Sequence, residues 1–326
     1  MKISRRDFLK WSIVAAAALK IDFDMDRVNT VLAVDTDPPV IWLNGAGCSG
    51  CTISTLNVTN PTTIDDVLLN KISIKYDTTL MTASGDLAMQ SLDECANNYN
   101  GQFILVIEGA IPTGNSGNYC IIGEQNGVPL TMQQAILKYG PMAKYIVAVG
   151  TCASFGGVSA TSTNTTCEPV ATILSGKTAN PIINLSGCPV HPTVMVQTLL
   201  DLILTGMPAL DSNNRPTKYY GVTVHHQCPR RPETKVNKPG VFGCYEKIGC
   251  KGPQCDNVCP SMKWNNGVNF CVTSNYPCIG CANPTFPTNP LISPQAIEEG
   301  DDKKGKGKKE SNQNNEVDTV SSATRR

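Results

Sequence analysis

"PVIWLNGAGCSGC", residues 39–51, runs an apolar, β-branched stretch directly into two cysteines spaced CxxC. The apolar part reads as a fully buried strand, because it lacks the alternation of a half-exposed one. Four more runs of this kind follow: "KISIKY" (71–76), "QFILVIEGA" (102–110), "KYIVAVG" (144–150) and "PIINLSG" (181–187). Helix-compatible segments lie between them, notably 86–98, 131–140 and 192–206, the last with the clearest amphipathic stripe.

Strands without polar alternation, interleaved with helices, predict a parallel sheet covered on both faces, a flavodoxin-like or Rossmann-like α/β pattern. Open parallel sheets bind ligands beyond the carboxyl ends of their strands. That is where this chain puts its chemistry. Cys48 and Cys51 follow the first strand, Glu108 ends the third, Cys152 follows the fourth and Cys188 the fifth. Four thiols far apart in sequence are thereby delivered to one edge.

After Gly206 the apolar periodicity stops. Residues 207–290 are rich in Pro, Gly, Asn and Cys, with "HHQCPRR" (225–231), "CYEKIGCKGP" (244–253) and "NFCVTSNYPCIGC" (269–281). Such a segment has little core of its own, and bound metal would supply the missing cross-links. The chain has fifteen cysteines, an odd number scattered over a length that needs no disulfide framework. Zinc is the default ligand of CxxC pairs, but irregular spacings and a surplus of sulfurs favour iron-sulfur clusters. His225, three residues before Cys228, reads as an imidazole ligand; His226 is the weaker candidate and His191 a structural one.

With 27 basic and 27 acidic residues the chain has no net charge, and nucleic acid is excluded as an expected partner. The start, "SRRDFLKWSIVAAAALK" (4–20), resembles a twin-arginine export signal. Its apolar run is too short to anchor in a bilayer, and no later stretch reads as a transmembrane helix. We assign 1–33 to the signal, with "TVLA" (30–33) or "AAA" (15–17) as cleavage candidates. Residues 34–206 read as the flavodoxin-like domain, 207–290 as a mostly coil iron-sulfur domain and 291–326 as a disordered polar tail.

Taken together, "CSGC" (48–51), "EGA" (108–110), "GTC" (150–152), "GCP" (187–189), "HHQCPRR", "CYEKIGCKGP", "CP" (259–260) and "PCIGC" (277–281) resemble the small subunit of nickel-iron hydrogenases. The resemblance runs from about residue 40 to 284. It implies a proximal [4Fe-4S] cluster on Cys48, Cys51, Cys152 and Cys188. A distal [4Fe-4S] cluster would be held by His225, Cys228, Cys244 and Cys250. A medial cluster would be held by Cys259, Cys278 and Cys281. Many members carry proline where this chain has Cys271, and their medial cluster is [3Fe-4S]; the extra thiolate makes a medial [4Fe-4S] cluster the expectation here.

The same resemblance implies that hydrogen is split or formed at a nickel-iron centre on a separate large subunit, while this chain conducts the electrons. No catalytic residue is expected in it. The external acceptor would be a periplasmic c-type cytochrome or a membrane cytochrome, with export to the periplasm and membrane association only through another subunit. Cys120 is placed where an oxygen-tolerant branch carries one of two extra proximal cysteines, the other falling at Gly50. Cys95 reads as a small buried hydrophobe. Cys255 lies outside the ligand shell, and Cys167 has no assigned role. A stand-alone ferredoxin-like carrier and a zinc-stabilised binding module are the competing readings.

Overall fold

The structure, a computed structural model, describes residues 37–287 and residue 291. The signal at 1–33 and nearly all of the tail at 291–326 lie outside the described residues. Five parallel strands form the central sheet: β1 (Pro39–Asn44), β2 (Ser73–Asp77), β3 (Ile104–Glu108), β4 (Tyr145–Val149) and β5 (Ile183–Leu185). Their order is β2-β1-β3-β4-β5, the flavodoxin-like winding. Every pair is parallel, and β1 and β3 run in register from Val40↔Ile104 to Asn44↔Glu108.

Side chains alternate across each strand, so one strand feeds two cores. Val40 and Trp42 of β1 join Val106, Val149 and Leu185 on one face, whereas Ile41 and Leu43 join Leu105, Ile107 and Ala148 on the other. The helices are α1 (Gly50–Leu56), α2 (Ile64–Asn70), α3 (Gly85–Asn98), α4 (Met132–Tyr139), α5 (Gly150–Phe155) and α6 (Pro192–Leu204). The second face is closed by α3 and α4, which contribute Leu92, Cys95 and Ile136. Thr131 caps α4, accepting from Gln134 N–H while the Gln134 side chain accepts from Thr131 N–H.

The first face is closed by α6 and by the coil beyond it. Tyr245, Val258, Phe270, Val272 and Ala282 belong to the same buried cluster as Val194, Met195 and Leu199 of α6. The cysteine-rich segment thus borrows the core of the sheet layer, which explains how a stretch with no periodicity of its own holds a shape. Its regular structure is limited to single turns such as α7 (Val224–Gln227) and α8 (Cys259–Met262).

Candidate metal centres

The carboxyl edge of the sheet assembles the first thiol set. β1 and β3 are adjacent at the point where the winding reverses, so the CxxC loop meets the end of β3 there. Glu108 fixes this junction. Its carboxylate accepts from the backbone N–H of Cys51 (2.9 Å) and Thr52 (3.0 Å), from Thr52 Oγ1 (2.5 Å), and from Trp42 Nε1 (3.3 Å). A carboxylate at the first turn of α1 stabilises the orphan amide donors there, and so holds Cys51 in place.

Cys51, Cys152 and Cys188 lie within electrostatic reach of one another, and Cys48 joins through Cys188. Burial, reinforced by Glu108, pushes the Cys51 thiol well above its ordinary range. A thiolate there needs a cation, which bound iron supplies. The surrounding backbone is cut back to make room. A Cβ on Gly150 would stand 2.5 Å from Cys51 Sγ, and one on Gly157 3.0 Å from Cys152 Sγ; both glycines have positive φ (80° and 52°). These sulfurs line a cradle that side chains would fill, and the site fits an iron-sulfur cluster.

The second set surrounds one cavity: His225, Cys228, Cys244 and Cys250 line it together with Arg230 and Tyr245. His225, Cys244 and the exposed Glu246 offer ligand atoms within 4.8 Å of one another. Glu246 is engaged by Lys235 at 2.8 Å; it sits inside "CYEKIGCKGP", but the spacing of the cysteines and histidine does not single it out. Burial lifts the Cys250 thiol to about 11. Here too the donor set, three thiols and an imidazole, suits iron.

In the third set, Cys259, Cys271, Cys278 and Cys281 are in mutual electrostatic reach. Burial takes Cys259 to about 12 and Cys281 well above the ordinary range. This set lies between the other two. Cys281 hydrogen-bonds the backbone of Cys188 in the first set, and Cys278 is within electrostatic reach of Cys228 and Cys250 in the second. The spatial order is therefore first, third, second, which differs from the order along the chain.

The remaining cysteines sort by surroundings. Cys95 is 3% exposed in the α3 core, as expected. Cys120 turns its thiol to Asn44 O (3.8 Å), at the end of β1, and is within electrostatic reach of Cys167, the one cysteine to which the sequence gives no role. Cys255 is 1% exposed and hydrogen-bonds the Cys278 sulfur, a contact its sequence position does not reveal. His191 is buried, with Nε2 2.5 Å from Lys263 O and its ring 5.0 Å from Trp264, whereas His226 is exposed and meets Arg231.

A parallel sheet that gathers thiols at its carboxyl edge and leads into a cysteine-rich coil defines a metal-binding α/β redox protein. Residues 48–202 match the family model described as NADH ubiquinone oxidoreductase, 20 Kd subunit, and residues 220–292 match that of the C-terminal region of the NiFe/NiFeSe hydrogenase small subunit. Residues 2–19 match the twin-arginine translocation pathway signal sequence. The chain is 36% identical to the periplasmic [NiFeSe] hydrogenase small subunit of Desulfomicrobium baculatum, over 88% of this chain and 97% of that one. It is 35% identical to the uptake hydrogenase small subunit of Azotobacter vinelandii, over 87% and 80%. The solved [NiFeSe] hydrogenase of Desulfovibrio vulgaris Hildenborough superposes with a TM-score of 0.74 at 37% identity, over 80% of this chain and 99% of that one. The chain belongs to the family of nickel-iron hydrogenase small subunits.

Proposed function

We propose that this chain relays electrons between a nickel-iron centre on a partner large subunit and an external acceptor. It would do so through three clusters held in line by the first, third and second sets. Twin-arginine export delivers it to the periplasm. In this reading the first set holds the proximal [4Fe-4S] cluster and the third the medial one. The second set holds the distal one, and Cys271 makes the medial cluster [4Fe-4S] in place of [3Fe-4S]. Bound clusters supply one-electron chemistry. The protein's own part is to supply thiolates, bury them and aim hydrogen-bond donors at them.

The observation that carries the reading is the spatial order. Three four-residue donor sets, the first gathered from distant strand ends and the other two from successive stretches of the coil, adjoin one another, with the third touching both the first and the second. A zinc-stabilised module needs no such succession. The exposed end of the first set adjoins a large cleft, lined by Gly50, Ile53, Pro189, His191 and Trp264, where a partner subunit would seat. Beyond the second set the acceptor would dock; a soluble c-type cytochrome suits a chain whose described residues include no helix long and apolar enough to cross a membrane. We place the boundary between the flavodoxin-like segment and the cysteine-rich one near residue 206, where the apolar periodicity stops.

The test is a redox titration of the anaerobically purified holoprotein followed by electron paramagnetic resonance. Three separately titrating centres and a co-purifying nickel subunit support the relay. A colourless protein holding zinc rules it out.

A further inference from the structure

Part of the wall of the second set's cavity is polar and only partly satisfied within the described residues. Arg230 is 6% exposed, clamped over Phe242 (4.8 Å) and Tyr245 (5.2 Å), and its Nη2 donates to Asn275 Oδ1 at 2.5 Å. Among the described residues its Nη1 is buried without a hydrogen-bond partner, as is the hydroxyl of Tyr245, itself 1% exposed. Among the described residues no carboxylate pairs with this guanidinium. Both residues line the cavity that His225, Cys228, Cys244 and Cys250 share.

A buried cation lacking a counter-charge, beside a buried hydroxyl lacking an acceptor, is strongly destabilising unless an anion meets them. Three thiolates around iron are such an anion, and each added electron makes it more negative. Resting on the ligand reading above, we infer that Arg230 and Tyr245 donate to the sulfurs of the cluster in the second set. They thereby stabilise its reduced form and raise the potential at the exit of the relay. The electron is the one the relay already carries; no further reactant enters. Replacing one thiolate by His225 and adding a fixed cation act in the same direction.

The experiment compares the holoprotein with Arg230→Lys, Arg230→Met, Tyr245→Phe and, as a surface-charge control, Lys238→Gln, by redox titration of every centre. His225→Cys identifies which centre the second set holds. The midpoint of that centre is expected to move to more negative values in Tyr245→Phe and Arg230→Lys, and furthest in Arg230→Met. The other two centres and the Lys238 variant stay unmoved. If Arg230→Met fails to load iron, the two milder variants decide. A centre that responds to His225→Cys but keeps its midpoint in Arg230→Lys and Tyr245→Phe overturns this inference alone. If no centre responds to His225→Cys, the ligand reading falls and this inference with it.

Discussion

The hydroxyl of Thr151 donates to the carbonyl oxygen of Cys281 at 2.5 Å and accepts from Gly187 N–H at 2.8 Å. One side chain, 1% exposed, thus ties the residue before Cys152 to the loop before Cys188 and to the last thiol of the coil. Thr151→Val keeps the shape and removes the hydroxyl, leaving a buried carbonyl and a buried amide unpaired. Each orphaned group costs about 1–3 kcal/mol. The expected result is a lower midpoint of chemical unfolding, with Thr151→Ser close to wild type; equal stability of the three proteins would show that the tie is unimportant.

A second tie crosses the coil. The Arg215 side chain is 4% exposed and reaches Asp211 at 2.8 Å, Asp256 at 3.1 Å and Ala282 O at 3.4 Å. Removing the guanidinium strands two carboxylates, but Asp211 (19% exposed) and Asp256 (32% exposed) keep contact with water, so the cost falls below the about 3–5 kcal/mol of a fully buried pair. Arg215→Met should therefore unfold at a clearly lower temperature than Arg215→Lys, which keeps the charge but loses the fork. Calorimetry checks the order, and equal melting of the two variants would refute the role of the guanidinium as a bridge between the two carboxylates.

Stability should also depend on pH through His191. Burial lowers its pKa from the ordinary 6.5, outweighing the hydrogen bond to Lys263 O. The folded imidazole stays neutral while the unfolded one takes up a proton. Stability is therefore full above pH 6.5 and declines as pH falls from there toward the lowered folded value. His191→Gln removes this contribution. Thermal melts between about pH 7 and 5 should fall less steeply for the variant than for wild type; parallel slopes would exclude His191 as the cause.

Cys271 decides the composition of the third set. Cys271→Pro withdraws one of four thiolates, and one iron corner should be lost. The variant should show the electron paramagnetic resonance of an oxidised [3Fe-4S] cluster and a higher potential at that centre, with the other two unchanged. An unaltered spectrum and iron count would remove Cys271 from the ligand set.

How far the sequence alone reaches follows from what kinds of signal are local. Apolar runs announce buried strands by composition, so 39–45 and 144–150 lie within a residue of β1 and β4. The hairpin Ile121–Gln125 with Val128–Thr131 escapes that signal because its strands are largely exposed, although Asn126-Gly127 is a strong turn pair and both residues have positive φ (53° and 76°). The start of α1 is hidden too, because CSGC reads as a ligand loop although its last two residues begin the helix. The first thiol set is legible from the strand ends, whereas the division of the later cysteines into two sets comes only through the family resemblance. The geometry of the sets is not legible, since Thr151 meets Cys281 and Glu108 meets Cys51 across 130 and 57 positions of chain. The buried donors of Arg230 and Tyr245 leave no local trace either: "PRR" and "CYEK" read equally well as solvated coil.

Counting iron, acid-labile sulfide, zinc and nickel in the anaerobically purified complex tests the central claim most directly. Three [4Fe-4S] clusters together with one nickel-iron centre require about thirteen irons and about twelve sulfides for each complex, with nickel confined to the partner subunit. Stoichiometric zinc with no labile sulfide would contradict the account.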